Sequence, residues 1–296
     1  MKILNLGSLN LDRTYRVEHF VQAGETIPAI GYGTSPGGKG LNQSVALARA
    51  GAEVCHLGAV GSDGGELLRI LEEAGADTRF VQTLSGASGH AIIQVTPEGE
   101  NCIIIFGGTN RQITQEMVDA ALRSFGPGDL LLLQNETSQG EYAIREAKRR
   151  GLRIAFNPSP ISQELFRYPF ELVDYLLVNE IEGGALSDRP GGDPEEILAE
   201  LCRRYPGTAI VLTIGADGVL CGTNGQLCRH GAYKVPVVDT TAAGDTFCGY
   251  FLSGLARGLS LEESLELASK ASAIAVSRAG AASSIPALSE VEASHL

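Results

Sequence analysis

The sequence predicts an α/β fold: a three-layer αβα sandwich around a mostly parallel central sheet, with a small β-sheet lid. Three observations carry this. Short apolar runs recur along the 296-residue chain and do not alternate with polar residues, which suits strands covered on both faces. Helical patterns separate these runs, and strand alternating with helix argues for parallel crossovers. One region breaks the rhythm with a Pro/Gly turn between two apolar runs, a hairpin signal. Residues 1–296 are expected to form one domain, with a discontinuous lid from about 12–34 and 88–107.

Residues 2–7 (KILNLG) read as the first buried strand, with Asn10 and Asp12 just behind it. Segments 13–20 and 27–34 read as short strands of the small sheet. A helix over 39–50 opens behind Gly37-Gly38. Strand 53–60 (EVCHLGAV) and helix 64–74 follow. Runs 90–96 (HAIIQVT) and 102–106 (CIIIF) flank the turn PEGEN. Ile93 and Val95 fall on one face of this hairpin and Ile92 on the other. A small sheet that is apolar on both faces does not stand alone in water. One face is therefore expected to cover the active site and the other to meet a partner subunit. A hairpin simply packed on the core is an equal alternative.

The rest of the sheet is predicted at 129–134 (DLLLLQ), 152–156 (LRIAF), 173–178 (VDYLLV) and 208–213 (TAIVLT). Helices fall at 115–124, 139–149 and 194–203. Further on, Phe247, Phe251 and Leu255 form one helical stripe, read as core. Gly249 and Gly254 are costly inside a helix, so close packing is expected there. Ser260-Leu-Glu-Glu263 is a capping-box pattern opening a helix to about Val276.

The formal charge of −12 disfavours binding to nucleic acid. The longest leucine run, Leu130 to Leu133, falls far short of the roughly 20 residues of a membrane span. The start MKILNLGSLNLD lacks a signal-peptide pattern. Six Cys without C-x-x-C or zinc spacing suit reduced thiols in a cytoplasmic enzyme. The five His are scattered, with no pair at metal-ligand spacing, and are expected to be structural or exposed.

Three motifs carry chemistry. In DTTAAGDTF (239–247) the small residues Ala242, Ala243 and Gly244 precede a helix, where free backbone N–H groups make an anion site. Asp245 lies in the first turn. It is either an ordinary first-turn cap or a base beside an anion hole. The second arrangement serves phosphoryl transfer to a hydroxyl: backbone holds the transferring group and the carboxylate takes the proton.

The second motif is Gly37-Gly38-Lys39-Gly40-Leu41-Asn42. It mimics a P-loop from Gly33, but Gly40 stands where Ser or Thr would hold magnesium. Gln43 occupies the third glycine's place of a dinucleotide fingerprint. A Gly-rich helix entry remains, with Asn42 offering a donor and an acceptor.

The third is a set of polar residues at the ends of predicted strands: Asn10, Asp12, Glu136, Asn179 and Glu182. Singly they are ordinary caps. Together, on the ligand side of a parallel sheet, they suit a sugar-like polyol.

With these residues on the page, the sequence resembles the ribokinase-like (phosphofructokinase B type) carbohydrate kinases. GSLNLD, GGKGLNQ, PEGEN, NPSP, VNEIE, TIGADG, DTTAAGDTF and IAVSRAGAASSIP stand in that family's order. The resemblance implies Asp245 as catalytic base and Ala242, Ala243 and Gly244 as anion hole. It implies Asn10, Asp12, Gly38, Lys39, Asn42 and Glu136 as sugar contacts. Asn179, Thr213, Gly215, Gly218, Gly244 and Ser269 would bind the nucleotide, with Glu182 near Mg2+. Asp239, Thr241, Ala275, Arg278, Gly280 and Ser284 would hold a monovalent cation, K+ as activator. The implied reaction is ATP-dependent phosphorylation of a small sugar, with D-ribose expected, by a homodimer joined through the lid. Competing readings are another acceptor (fructose, a deoxy sugar acid or a nucleoside) and a non-catalytic sugar or nucleotide sensor. Leu41 departs from the family's usual Ala.

Overall fold

The computed structural model describes residues 1–223 and 225–296. In chain order the first half runs β1 (Ile3–Leu6), β2 (Asn10–Arg16), β3 (Gly31–Gly37), α1 (Lys39–Arg49), β4 (Val54–Val60), α2 (Gly65–Ala74), β5 (Asp77–Thr83), β6 (Gly89–Val95), β7 (Asn101–Phe106), α3 (Gln115–Leu122), β8 (Leu130–Gln134) and α4 (Gly140–Arg149). The second half runs β9 (Arg153–Asn157), β10 (Tyr175–Asn179), α5 (Glu180–Leu186), α6 (Pro194–Arg204), β11 (Ala209–Thr213), β12 (Val219–Thr223), β13 (Gln226–His230), α7 (Ala243–Ala256), α8 (Leu261–Val276) and α9 (Leu288–Ala293).

Nine strands form the main sheet in the order β13-β12-β11-β10-β9-β8-β1-β4-β5. All neighbours are parallel except at the β12 and β13 edge. The apolar runs are two-sided, as read from the sequence. Leu4 and Leu6 of β1, with Leu131 and Leu133 of β8, face the layer of α3 to α6. Ile3, Leu130 and Leu132 face the layer of α1, α2, α7, α8 and α9. β1 pairs with β4 on one side and β8 on the other, so the strand order reverses between β1 and β8. Ligands of open α/β sheets bind at the carboxyl ends of strands flanking such a reversal.

The second sheet has the order β3-β2-β6-β7. Its strands cover 10–16 and 31–37 rather than 13–20 and 27–34. Register explains the shift: every residue from Asn10 to Arg16 pairs with Gly37 back to Gly31. The intervening loop carries Gly24 at φ 82 and Pro28, which cannot extend a ladder. The hairpin is present as β6 and β7. Ile92, Ile93 and Val95 are half-buried, whereas Ile103, Ile104, Ile105 and Phe106 are all exposed.

Strand β12 and the edge strands β5 and β13 are not among the runs that the sequence predicts. Each mixes polar with apolar residues, so none reads as a continuous apolar run. The helical glycines behave as expected. A Cβ on Gly249 would strike Ala46 of α1, and one on Gly254 would meet Ser264 of α8. The capping box of Ser260 and Glu263 is formed. All six cysteines are free. His56 is a core residue: burial pushes it down to about 4, and its ring nitrogens pair with the Ser44 hydroxyl and the Gly7 carbonyl.

Candidate active site

Two helix N-termini meet above the carboxyl edge of the main sheet. The first is that of α1. Gly38, its N-cap, has φ 94, and a Cβ there would press on Ser8 and on the Asn10 amide. Glycine lets β2, the β1 end and α1 approach one another. Ser8, just after β1, donates through its hydroxyl to Glu136 Oε2, just after β8. The Lys39 amide donates to the same oxygen at 3.1 Å. This knot spans the place where the strand order reverses. Asp12 lies against Gly37, where a Cβ would collide with its carboxylate. Burial, and then the Glu136 carboxylate, push Asp12 up to about 6. Asn10 Oδ1 accepts from Asn110 Nδ2 at 2.8 Å. Asn10, Asp12, Gly38, Asn42 and Glu136 are thus brought together around the start of α1.

The second N-terminus is that of α7. Its N-cap is Ala242, left-handed at φ 60, and no side chain caps it. The Ala243 amide donates to the Thr240 carbonyl at 3.2 Å. Among the described residues, the amides of Ala242, Gly244 and Asp245 have no partner. Three N–H groups thus remain for an anion, with Asp245 taking the place expected of Ala243.

Asp245 is not a helix cap. Its Oδ2 accepts from Asn42 Nδ2 at 3.0 Å and its Oδ1 from Gln43 Nε2 at 2.9 Å, both on α1. The residue is only 8% exposed. A cleft of about 210 Å³ lies over it, bounded by Lys39, Asn157, Asn179, Glu182, Thr213 and the 242–245 turn. Burial pushes the Lys39 ammonium down, but the carboxylates of Asp245, Glu136 and Glu182 outweigh it and hold the group above its usual range. One firm cation therefore stands in a cleft that is otherwise acidic.

Asn179 and Glu182 do form the ordinary cap that sequence allowed. Asn179 Oδ1 accepts the Glu182 amide at 2.8 Å, and Glu182 Oε2 accepts the Asn179 amide at 3.1 Å. Both also border the cleft, and Glu182 keeps its other oxygen uncommitted. Gly215, Gly218 and Ser269 do not border it. Gly215 and Gly218 follow β11 with φ 55 and 101, and Ser269 is buried in α8. In that helix Ser272, not Ser269, binds the α7 turn, donating to the Ala243 carbonyl at 3.1 Å.

Behind the turn, Asp239 accepts the amides of Thr241 at 2.8 Å and Gly280 at 2.9 Å. Val238 and Asp239 both donate to the Val276 carbonyl. The 239–241 segment is thereby stitched to the tail that carries Ala275, Arg278, Gly280 and Ser284. Leu41 is fully buried in the apolar layer under α1, and its amide donates to the Ser8 carbonyl at 2.9 Å.

Sequence reasoning missed Gln43, Asn157, Asn110 and Ser8. A usable signal existed for one of them: Gln43 lies four positions beyond Lys39 and so shares its helix face.

A model of the pfkB family of carbohydrate kinases matches residues 1–288. The chain belongs to the pfkB family of carbohydrate kinases. This family member is 35% identical to the ribokinase of Haemophilus influenzae over 96% of this chain and 95% of that one. A ribokinase of Cryptococcus neoformans solved with ADP is 34% identical, with a TM-score of 0.87 over 98% of both chains. Arabidopsis thaliana ribokinase complexed with ribose and ATP is 26% identical, with a TM-score of 0.88 over 98% of this chain and 97% of that one.

Proposed function

We propose that this pfkB carbohydrate kinase transfers the γ-phosphoryl group of ATP to the 5-hydroxyl of D-ribose. The observation that carries the reading is the placement of Asp245. A buried carboxylate, gripped by two side-chain amides, adjoins three unpartnered backbone N–H groups and the Lys39 ammonium in one cleft. The names and bound molecules of the ribokinase relatives favour ribose and ATP among kinase substrates.

In this reading the sugar lies at the start of α1, against Asn10, Asp12, Gly38, Lys39, Asn42 and Glu136. Asn42 Oδ1 is buried without a partner and accepts a sugar hydroxyl. The acceptor oxygen bonds to the γ-phosphorus while the bridging bond to ADP breaks, and Asp245 takes the hydroxyl proton. The α7 amides and Lys39 hold the charge of the transferring group. Asn179, Thr213 and Gly244 form the nucleotide side of the cleft, which extends toward the loop of Gly215 and Gly218 behind β11; Ser269, buried in α8, is left out of it.

Glu182 supplies a free oxygen on the phosphate wall, which fits Mg2+, an ion that neutralises phosphate charge when bound. No larger acidic cluster is present among the described residues, as suits a metal carried mainly by substrate phosphates. The carbonyls of Thr241, Ala275, Arg278 and Gly280, with Asp239 and the Ser284 hydroxyl, are an all-oxygen set suited to K+. That ion would brace the 239–245 turn.

The small sheet, on residues 10–37 and 89–106, serves as the lid of a single domain. Its outer strand β7 exposes four consecutive apolar side chains on an unpaired edge. Such an edge calls for cover, and a second lid supplies it in a homodimer. Six free thiols suit the cytoplasm, and among the described residues no helix is long and apolar enough to cross a membrane.

An ADP-release assay across pentoses, hexoses and nucleosides, with K+ present and absent, tests the reading. Ribose turnover above the other acceptors is expected. A higher rate with another acceptor would replace ribose, and no turnover of any acceptor would favour a sensor.

A further inference from the structure

Beneath Asp245 runs a chain of four side-chain amides, of which Asn5, Gln43 and Gln134 are buried and Asn157 is half-buried at the cleft. Asn5 of β1 donates through Nδ2 to the Gly40 carbonyl at 2.9 Å. A carbonyl only accepts, so Asn5 Oδ1 is the end that faces Gln134 of β8. Gln134 Nε2 donates to it at 2.9 Å and to Gln43 Oε1 at 2.7 Å. At the other end Asn157 of β9 donates to the Leu177 carbonyl at 3.0 Å, so its Oδ1 must accept. Gln43 Nε2 meets that oxygen at 3.1 Å and Asp245 Oδ1 at 2.9 Å. Two backbone carbonyls thus fix the polarity of the whole chain. Gln43 can present only N–H to the carboxylate.

We infer that Gln43 is a positioning residue for Asp245. It holds the carboxylate in register with the acceptor oxygen and is itself oriented by Gln134 and Asn157. Gln43 is fully buried and its amide atoms all bond to protein groups, so it is left with no atom for sugar or nucleotide. Its partner on the other carboxylate oxygen, Asn42, keeps its buried Oδ1 without a partner; both amide atoms of Gln43 are taken by protein groups. Each amide in the chain comes from a different element, β1, β8, α1 and β9. The rigidity of the main sheet is thereby transmitted to one functional group. A buried polar chain of this kind is firm only while every link is oriented.

The inference rests on the kinase reading. The test compares wild type with Gln43→Met, which keeps length and loses the donor, and with Gln134→Met, which removes the donor that anchors Gln43 Oε1. For Gln43→Met, kcat for ribose is expected to fall about 10- to 100-fold, the range for losing one hydrogen bond to a charged group. KM for ribose and for ATP should stay within about twofold. Gln134→Met should lower kcat in the same direction by less. In an Asp245→Ala background, Gln43→Met should cost no more than about twofold further, because groups acting as a unit are not additive. A folded Gln43→Met enzyme with unchanged kcat, or one whose loss lies in KM, overturns the inference. If Gln43→Met does not fold, Gln43→Glu, which sets an oxygen against Asp245 in place of the N–H, serves instead, and an unchanged kcat in it overturns the inference. Wild type that turns over no acceptor overturns the kinase reading and this inference together.

Discussion

The side-chain amide of Asn42 donates to Asp245 Oδ2 at 3.0 Å, and this one bond ties the first turn of α1 to the first turn of α7. In the proposed kinase, the residue that faces the acceptor and the residue that takes its proton therefore have one shared geometry. Removing the carboxylate separates their roles. Asp245→Asn is expected to lower kcat by about 10²–10⁴-fold, the usual contribution of a general base. Calorimetry should show ribose affinity changed only a few-fold. Lost affinity with normal turnover would give Asp245 a different role.

Asn42→Ala removes both the bond to Asp245 and the unpartnered acceptor Oδ1. A buried polar contact of this kind is worth about 1–3 kcal/mol. KM for ribose should rise about 10- to 100-fold, with a smaller fall in kcat. An unchanged KM would place the sugar elsewhere.

Asp12 gives a pH effect with a definite sign. Burial and Glu136 raise it from 3.8 to about 6 in the folded chain. A raised carboxyl contributes stability that is complete below about pH 4 and is lost as pH climbs through 6. The loss is about 3 kcal/mol. Asp12→Asn should therefore raise Tm at pH 7.5 by several degrees and flatten the stability profile between pH 4 and 6. The same variant should bind ribose poorly. In wild type, KM for ribose should rise as pH drops below 6. A Tm unchanged by the substitution would refute the electrostatic account.

Ile104→Lys places a charge in the middle of the exposed β7 run, where Ile104 is 60% exposed. Sedimentation should show a dimer for wild type and a monomer for the variant. A wild-type monomer would remove the lid-to-lid assignment.

Activity in KCl should exceed activity in choline chloride at equal ionic strength, and Asp239→Ala should abolish the difference. Equal wild-type rates in the two salts would dismiss the cation assignment.

Much of this site was legible in the sequence because its parts are local. Strand ends announce themselves where an apolar run stops, which located Glu136 and Asn179. The small-residue turn before α7 is a consecutive string, which located 242–245. Gln134, Asn5 and Asn157 were not legible, and Gln43 only through the helix face it shares with Lys39. Their meeting depends on four elements distant in sequence, and a lone amide inside an apolar stretch has no periodicity of its own. Strands β12 and β13 were missed for other reasons. β12 is buried but its apolar run, Val219, Leu220 and Cys221, stops at Gly222; on the edge strand β13, Gln226, Arg229 and His230 interrupt the hydrophobic signal. The bounds of the small sheet followed pairing register, which no single segment reveals.

Asn10 and Asp12 stand on β2 in the small sheet, whereas Asp245 stands on α7 against the large one. Only Gly7, Ser8 and Leu9 join β1 to β2. Tilting one sheet on the other alters how far the acceptor oxygen sits from its proton sink. In the proposed kinase, grasping the sugar and arming the chemistry are then a single mechanical act, in which Gly38 and residues 84–88 also connect the two sheets. Stiffening that joint would slow turnover without altering any atom that meets the sugar.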